Sequence, residues 1–420
     1  MSPQRKAQWS WAFYDWANSA WATTVLVGLF PIFFNQYWAA DLPAERSTLY
    51  LGAIGNSLPA FLVMLLAPTL GLLADRRRLK KRMLAVMTLL GAGATAGLFW
   101  VPPGQWGLAL TLFAMSGVGF FAGLGLYDSL LINVAAPVQR DRVSASGYAM
   151  GYLGGGLLFL LNVQMILHPQ WFGLPDAATA TRWAFLSVAV WWLLFALPLF
   201  RNVPEGQSAE AGAMGWRELG ATYRRIRGNR PVLIFLLAYW LYIDAVGTVA
   251  NMAVDFGLKL GFQSSSLIQA LLIVQFVSFP AALAFGWLAT RIGARRGIYL
   301  ALAVYCAITI GALFMRTETH FFAMAVAVGL VQGGVQALSR SYYSRLIPAE
   351  RAGEYYGFYN MLGKFAAILG PLVVGLTASL TGNPRLALFA LIFFFIAGGL
   401  LLSRVREPQP GDLTVQERSA

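Results

Sequence analysis

Charged residues are scarce in this chain of 420 residues, and so are the residues that build disulfides and metal sites. Charged side chains make up 12% of the chain, against about 25% in ordinary soluble domains, which excludes a globular cytosolic protein. The single cysteine, Cys306, excludes a disulfide within the chain. His168 and His320 fall in predicted outer loops, so no histidine metal cluster or catalytic triad is expected in the apolar segments. We therefore expect neither a cofactor nor an enzymatic activity.

Apolar residues make up 58% of the chain and are grouped in runs long enough to cross a membrane. A membrane-spanning helix needs about 20 mostly apolar residues. The sequence predicts an all-α membrane protein with twelve transmembrane helices, over residues 11–38, 49–74, 83–101, 106–135, 145–167, 182–200, 231–254, 266–289, 297–315, 321–346, 356–380 and 385–403. An even number of helices places both termini on the same side of the membrane.

The basic residues predict which side that is. Of the 31 Lys and Arg residues, 25 fall in the loops and tails of one side, with Arg340 counted among them, 5 fall on the other, and Lys364 lies within an apolar run. Basic loops stay inside, so both termini are predicted to be cytoplasmic and the protein to lie in the cytoplasmic membrane. The net charge of +13 then reflects topology and anionic membrane lipid, and nucleic acid is not expected as a partner.

A charged loop occurs twice, half a chain apart. The stretch from Gly71 to Arg82 holds Asp75 and six cations between two apolar runs, and a weaker copy runs from Gly286 to Gly297, at an offset of 286 − 71 = 215 residues. Two further segment pairs match in the same order, at offsets of 229 and 211: Trp11–Asp15 with Trp240–Asp244, and Pro137–Arg140 with Pro348–Arg351. The repeats predict two pseudo-symmetric six-helix bundles.

One long polar segment, residues 201–230, separates the two sets of six. Its residues Trp216, Leu219, Tyr223 and Ile226 follow a helical period with arginines on the other side, which predicts an amphipathic helix on the inner membrane surface. A partly ordered linker is the alternative. The predicted division is an N-terminal bundle over 1–200, a linker over 201–230, and a C-terminal bundle with a short tail over 231–420.

Twelve spans as six plus six, with Gly-x-x-x-Asp-Arg and a basic run after the second, resemble the major facilitator superfamily. Within it, the segments Trp11–Ser19, Leu241–Asp244 and Val331–Ser341 resemble the vacuolar effluxer-like branch, whose fungal members are associated with amino-acid efflux. The resemblance implies that the first, fourth, seventh and tenth helices line a central cavity. The repeated loops imply a gate formed by Gly71, Asp75, Arg76, Arg140, Gly286, Arg291 and Arg351, with Asp75 capping a neighbouring helix end. Thr290 stands where the first loop has Asp75, so the second copy departs from the pattern.

Charged and amide side chains within the apolar runs are the candidate binding residues, because a charge in hydrocarbon is costly. Most follow helical spacing along one face of a predicted helix. The candidates for substrate or proton binding are Asp15, Asn18, Asp128, Asp244, Thr248, Asn251, Gln332, Gln336, Arg340, Asn360 and Lys364. Hydrogen bonds between helices are an equal alternative for Thr248, Asn251, Gln332 and Gln336. Arg340 also lies close enough to a helix end to extend its guanidinium to the surface.

These residues, with Asp255, give an intramembrane charge of −4 + 2 = −2, which suits proton coupling and a cationic or zwitterionic substrate. The sequence thus predicts a monomeric secondary transporter of a small polar solute, with protons and membrane lipids as further partners. Two alternatives stay open. One is a transporter of amphipathic, lipid-like or drug substrates, and the other is a non-transporting receptor or scaffold on a carrier fold.

Overall fold

The computed structural model describes residues 1–206, 216–259, 264–381 and 384–406. Within these ranges the chain is helical almost throughout. The helices of the N-terminal half are α1 Pro3–Trp38, α2 Ala44–Arg76, α3 Lys80–Trp100, α4 Trp106–Val134, α5 Arg140–Leu167 and α6 Ala177–Asn202. A short helix follows, α7 Trp216–Gly228. The C-terminal half consists of α8 Arg230–Lys259, α9 Ser264–Ile292, α10 Ala294–Ala312, α11 Glu318–Leu346, α12 Ala352–Thr381 and α13 Pro384–Ser403.

Ten helices in the described ranges are long and apolar enough to cross a membrane. Helices α12 and α13 lie where the sequence predicts the eleventh and twelfth spans, in agreement with a twelve-helix bundle. Several helices begin earlier than predicted, because their first turns are polar and a hydropathy pattern does not detect them. Helix α1 begins at Pro3 rather than residue 11, where the Ser2 side chain accepts a hydrogen bond from the Arg5 backbone N–H.

Helix α6 begins after a well-defined cap in the loop that precedes it. The Asp176 carboxylate accepts a hydrogen bond of 2.7 Å from the Thr179 backbone N–H. This bond lowers the pKa of the Asp176 carboxyl group below its usual value.

Each half has a separate aromatic core. In the N-terminal half, Trp11, Trp21 and Trp192 are fully buried, and in the C-terminal half Tyr242 and Tyr343 are. The halves meet mainly where α2 packs on α12 and where α5 packs on α9 and α11. Several of the candidate residues lie at these contacts between the halves.

The first seam between the halves depends on glycine. A Cβ atom on Gly71 would lie 2.0 Å from the carbonyl oxygen of Gly353, so α2 and α12 touch backbone to backbone. At the corresponding place in the second copy, a Cβ on Gly286 would lie 2.4 Å from the Ala145 Cβ. The two copies of the charged loop therefore mark two close crossings, α2 with α12 and α9 with α5.

Both ends of the described chain lie at one face of the bundle, which we call the terminal face. At the start of α1, Gln8 donates to the carbonyl of Val134 at the end of α4. At the other end of the chain, the carbonyl of Val405 accepts a hydrogen bond from Arg295 at the start of α10. Arg140 at the start of α5 donates to the carbonyl of Ser344 at the end of α11, which joins the two halves at this face. That the terminal face is the cytoplasmic one remains a prediction from charge.

Candidate functional site

Arg340 of α11 lies at the centre of a buried ion-pair cluster. Its Nη1 donates to Asp128 Oδ1 at 2.9 Å, and both terminal nitrogens lie 3.3 Å from Asp15 Oδ2. Only 1% of the arginine is exposed, so the interpretation that it extends to the surface is wrong. The physical reason is that two carboxylates inside the bundle compensate its charge better than a partly hydrated helix end.

The remaining N–H groups of Arg340 are bound by α5. Its Nε donates to the Ser144 hydroxyl and its Nη2 to the Ser144 carbonyl, both at 2.9 Å. The guanidinium also lies over the rings of Trp11 and Tyr148, at 4.6 and 4.3 Å from their centroids. Gly147 leaves the space for this arrangement, since a Cβ there would lie 2.5 Å from Asp15 Oδ2.

The cluster connects the two halves and is not charge-balanced. Arg340 comes from the C-terminal half, whereas Asp15, Asp128 and Ser144 come from α1, α4 and α5 of the N-terminal half. Tyr127 donates to Asp15 Oδ2 at 2.8 Å and holds this carboxylate in place. With both acids ionised the charge is −2 + 1 = −1, so the cluster has the charge to take up one proton.

Asp244 lies apart from this cluster, although its sequence position matches that of Asp15. It lies between α8 and α12, is 2% exposed, and its Oδ1 accepts a hydrogen bond of 3.0 Å from the Gly370 backbone N–H. Among the described residues, Asp244 Oδ2 and the Thr248 hydroxyl one turn later have no hydrogen-bond partner. The side chain of Asn251, predicted on the same face, lies outside the described part of the chain.

Asn360, Lys364 and Gln336 make contacts between the halves. Asn360 of α12 donates to the carbonyl of Phe121 in α4 at 2.7 Å, and the Lys364 ammonium lies 3.5 Å from the centroid of the Phe121 ring. Gln336 accepts a hydrogen bond of 3.1 Å from the Tyr152 hydroxyl across the α5–α11 contact, and Gln332 lies one turn earlier on α11.

Asn18 is buried in the N-terminal half, next to Ser19, whose hydroxyl donates to its side-chain carbonyl at 3.5 Å. It lies about one turn of α1 from Asp15, on the same helix as the cluster.

Asp75 binds the N-terminus of α12 across the first seam. Its carboxylate accepts hydrogen bonds from the backbone N–H groups of Gly353 and Glu354 at 3.0 and 2.7 Å. The Lys80 ammonium lies 2.7 Å from the same carboxylate. This is the position that the predicted helix cap requires.

At the second seam, where α5 packs on α9 and α11, different residues make the contacts. Arg291 is exposed and lies over the ring of Trp287, 4.8 Å from its centroid. Asp141, which the sequence interpretation did not select, accepts hydrogen bonds from Ser341 and Arg345 of α11. The sequence offered one signal for this pair, since Asp141 and Arg345 lie close to the matching segments Pro137–Arg140 and Pro348–Arg351. Arg351 lies in the short turn Ala349–Arg351 before α12.

Two bundles of six helices that meet at interlocked seams define a carrier of the major facilitator type. The fold is similar to the crystal structure of the human organic anion transporter MFSD10 (TETRAN), with a TM-score of 0.77 and 18% identity over 96% of this chain and all of that one. It is also similar to FucP in the outward conformation, with a TM-score of 0.74 and 13% identity over 97% of this chain and 100% of that one. At these identities the likeness shows the fold.

The chain belongs to the family described as vacuole effluxer Atg22 like, whose model matches residues 3–409. It is 36% identical to the uncharacterized MFS-type transporter YxiO of Bacillus subtilis, over 98% of this chain and 97% of that protein. It is 24% identical to autophagy-related protein 22 of Yarrowia lipolytica, over 68% of this chain and 54% of the fungal protein. The family resemblance predicted from the motifs is therefore confirmed. The relatives are carriers, so the protein is a multi-pass membrane transporter and not an enzyme.

Proposed function

We propose that this protein is a proton-coupled secondary transporter that exports a small polar solute, such as an amino acid, by alternating access. The observation that carries the proposal is the cluster in which two carboxylates of one half share the guanidinium of the other. The family's description as effluxers supports the direction of transport.

The cluster supports coupling because it cannot stay intact when the terminal face opens. Opening at this face separates α11 from α1, α4 and α5, which removes Arg340 from Asp15 and Asp128. Two carboxylates would then stay in an apolar bundle without a counter-charge, and protonation relieves this cost. Proton uptake and opening are therefore linked: a proton taken up from the opposite side of the membrane favours the open terminal face, and its release at that face lets the face close again.

The seams act as the gate in this mechanism. Asp75 caps α12 across the first seam, and Asp141 binds α11 across the second. Both contacts join a carboxylate of the N-terminal half to the C-terminal half, so they stabilise the closed terminal face. Protonation or substrate binding near Arg340 has to offset them before the face opens.

The function can be tested with purified protein in proteoliposomes. Counterflow of a panel of radiolabelled amino acids identifies the substrate, and a pH-sensitive dye reports proton movement. A pH gradient should drive uptake, and Asp128→Asn should abolish this uptake while substrate exchange remains. The matched control is Asp41→Asn, which changes an exposed acid in the loop after α1. Gradient-driven uptake by Asp128→Asn and Asp15→Asn at the unmodified rate would show that the cluster is structural.

A further inference from the structure

The helix α7 connects the two halves across the first seam. Glu218 forms an ion pair of 2.6 Å with Arg76 at the end of α2. One turn later, the Thr222 hydroxyl donates to Glu354 in the first turn of α12 at 2.8 Å, and Arg225 donates to the same carboxylate oxygen at 3.2 Å. The helix therefore contacts both sides of the crossing at which Gly71 touches Gly353.

The inner face of α7 is closely packed on the protein. Thr222 and Glu354 are each 1% exposed, and Ile226 is part of the core of the C-terminal half. The backbone N–H of Glu354 also binds Asp75, so α7 rests on the capped end of α12. If α2 and α12 separate, α7 cannot keep both Glu218 and Thr222 on their partners.

The outer face of α7 is basic and exposed. Tyr223 is 55% exposed, and Arg224 and Arg227 are exposed beside it at helical spacing. By sequence, α7 holds four arginines and one acid, a charge of 4 − 1 = +3, and the acid is already paired with Arg76. Of the apolar residues on which the predicted amphipathic helix rests, Ile226 packs on protein, whereas Tyr223 is exposed.

We propose that the outer face of α7, formed by Tyr223, Arg224 and Arg227, binds the headgroups of anionic phospholipids and thereby holds the terminal face closed. Arginine forms paired hydrogen bonds with phosphate, and tyrosine is enriched at the membrane interface. Helix α7 lies at the terminal-face ends of spanning helices from both halves, because it binds the end of α2 and α8 begins two residues after it. A lipid that binds α7 while it contacts Arg76 and Glu354 favours the state in which α7 contacts both halves.

The test measures the width of the terminal face in lipid nanodiscs of two compositions. Spin labels are attached at Val138→Cys and Ala349→Cys, exposed positions of the two halves, in a Cys306→Ala background. Pulsed EPR is recorded in POPC alone and in three parts POPC to one part POPG. We expect POPG to shift the distance distribution toward the short, closed-face distance. The shift should be lost in Arg224→Gln/Arg227→Gln.

Two further variants make the outcome specific. Arg5→Gln/Lys6→Gln removes two exposed cations from the start of α1 at the same face and should keep the POPG response. Glu354→Gln leaves the lipid site intact but weakens the contacts of Thr222 and Arg225 with α12. In this variant POPG should remain bound in native mass spectrometry without closing the face. An equal POPG response in Arg224→Gln/Arg227→Gln and in the unmodified protein would overturn the proposal, as would the absence of a response in the latter. Neither result depends on the transported substrate.

Discussion

At the scale of the residue, the cost of burying charge allowed the candidate residues to be identified from the sequence. It did not predict which of them contact one another. Asp15, Asp128 and Arg340 stand out because each interrupts an apolar run. That they meet depends on how two halves dock, which no local pattern encodes. Asp244 stands out for the same reason, yet it binds a backbone N–H within its own half. Glu218 and Glu354 were not predicted, because they lie in polar segments where charge is ordinary.

Arg340→Gln should weaken the closed terminal face by about 3 kcal/mol, because removing one partner of a buried ion pair leaves uncompensated charge. Adding Asp128→Asn should recover part of this loss, since the double variant has one less unpaired carboxylate. The measurement is the labelling rate of a cysteine placed at Ser344, a buried position whose carbonyl binds Arg140 at the terminal face. If the two substitutions were additive, Arg340 and Asp128 would not be coupled.

Asp244→Asn tests whether the second buried acid also carries protons. The amide keeps an oxygen for the Gly370 N–H and costs less to bury than a carboxylate, so the fold should be retained. If Asp244 exchanges a proton during transport, gradient-driven uptake should be lost while substrate exchange continues. Thr248→Val removes the neighbouring hydroxyl and serves as the matched control. Normal uptake and pH dependence in Asp244→Asn would assign this carboxylate a structural role.

At the scale of the element, hydropathy predicted the apolar part of each helix and missed the polar turns that extend it, as at Pro3. Hydropathy also does not indicate which helices pack closely at their glycines. In the structure, Gly151 and Gly155 of α5 face Ser19 and Thr23 of α1. Amphipathic spacing located α7, but the protein rather than lipid covers its inner face, because the seam between α2 and α12 offers matching charges.

Gly71→Ala should prevent complete closure of the α2–α12 seam. Its Cβ would lie 2.0 Å from the Gly353 carbonyl oxygen, a backbone atom that cannot move aside as a side chain does. We expect the closed-face EPR distance to be depopulated and transport to fall by about tenfold or more, which corresponds to about 1.4 kcal/mol. Gly52→Ala in the same helix is the control, since its Cβ would meet nothing within 4 Å. An equal effect of both substitutions would mean that helix propensity, not the seam, is responsible.

At the scale of the whole molecule, the repeats in the sequence predicted two related halves, and the structure adds that their seams are closed by different chemistry. Asp75 closes the first seam by capping a helix, whereas Asp141 closes the second through side chains of α11. A repeated motif reports common ancestry, and the loss of the acid at Thr290 already indicated that the copies have diverged. The sequence could not predict that Asp141 takes over this role, because Asp141 lies on α5, whereas the motif that lost its acid at Thr290 lies on α9.

The orientation in the membrane follows from charge alone and is open to a direct test. Since Arg340 is buried in the bundle, the count of basic residues on the terminal side falls to 25 − 1 = 24, against 5 on the opposite side. This excess still favours a cytoplasmic terminal face, because basic loops are retained inside and attracted to anionic lipid. In a Cys306→Ala background, cysteines are introduced singly at Gln170, exposed beyond α5, and at Val138, exposed on the terminal face.

An impermeant thiol reagent applied to intact cells should label Gln170→Cys and leave Val138→Cys unlabelled, and permeabilised cells should label both. Labelling of Val138→Cys alone in intact cells would show that the terminal face lies outside the cell, opposite to the predicted orientation. The proposed proton linkage would then open the cluster to the outer medium instead of the cytoplasm, and the arginines of α7 would meet the outer leaflet. The orientation thus decides from which side the Asp15–Asp128–Arg340 cluster takes up its proton.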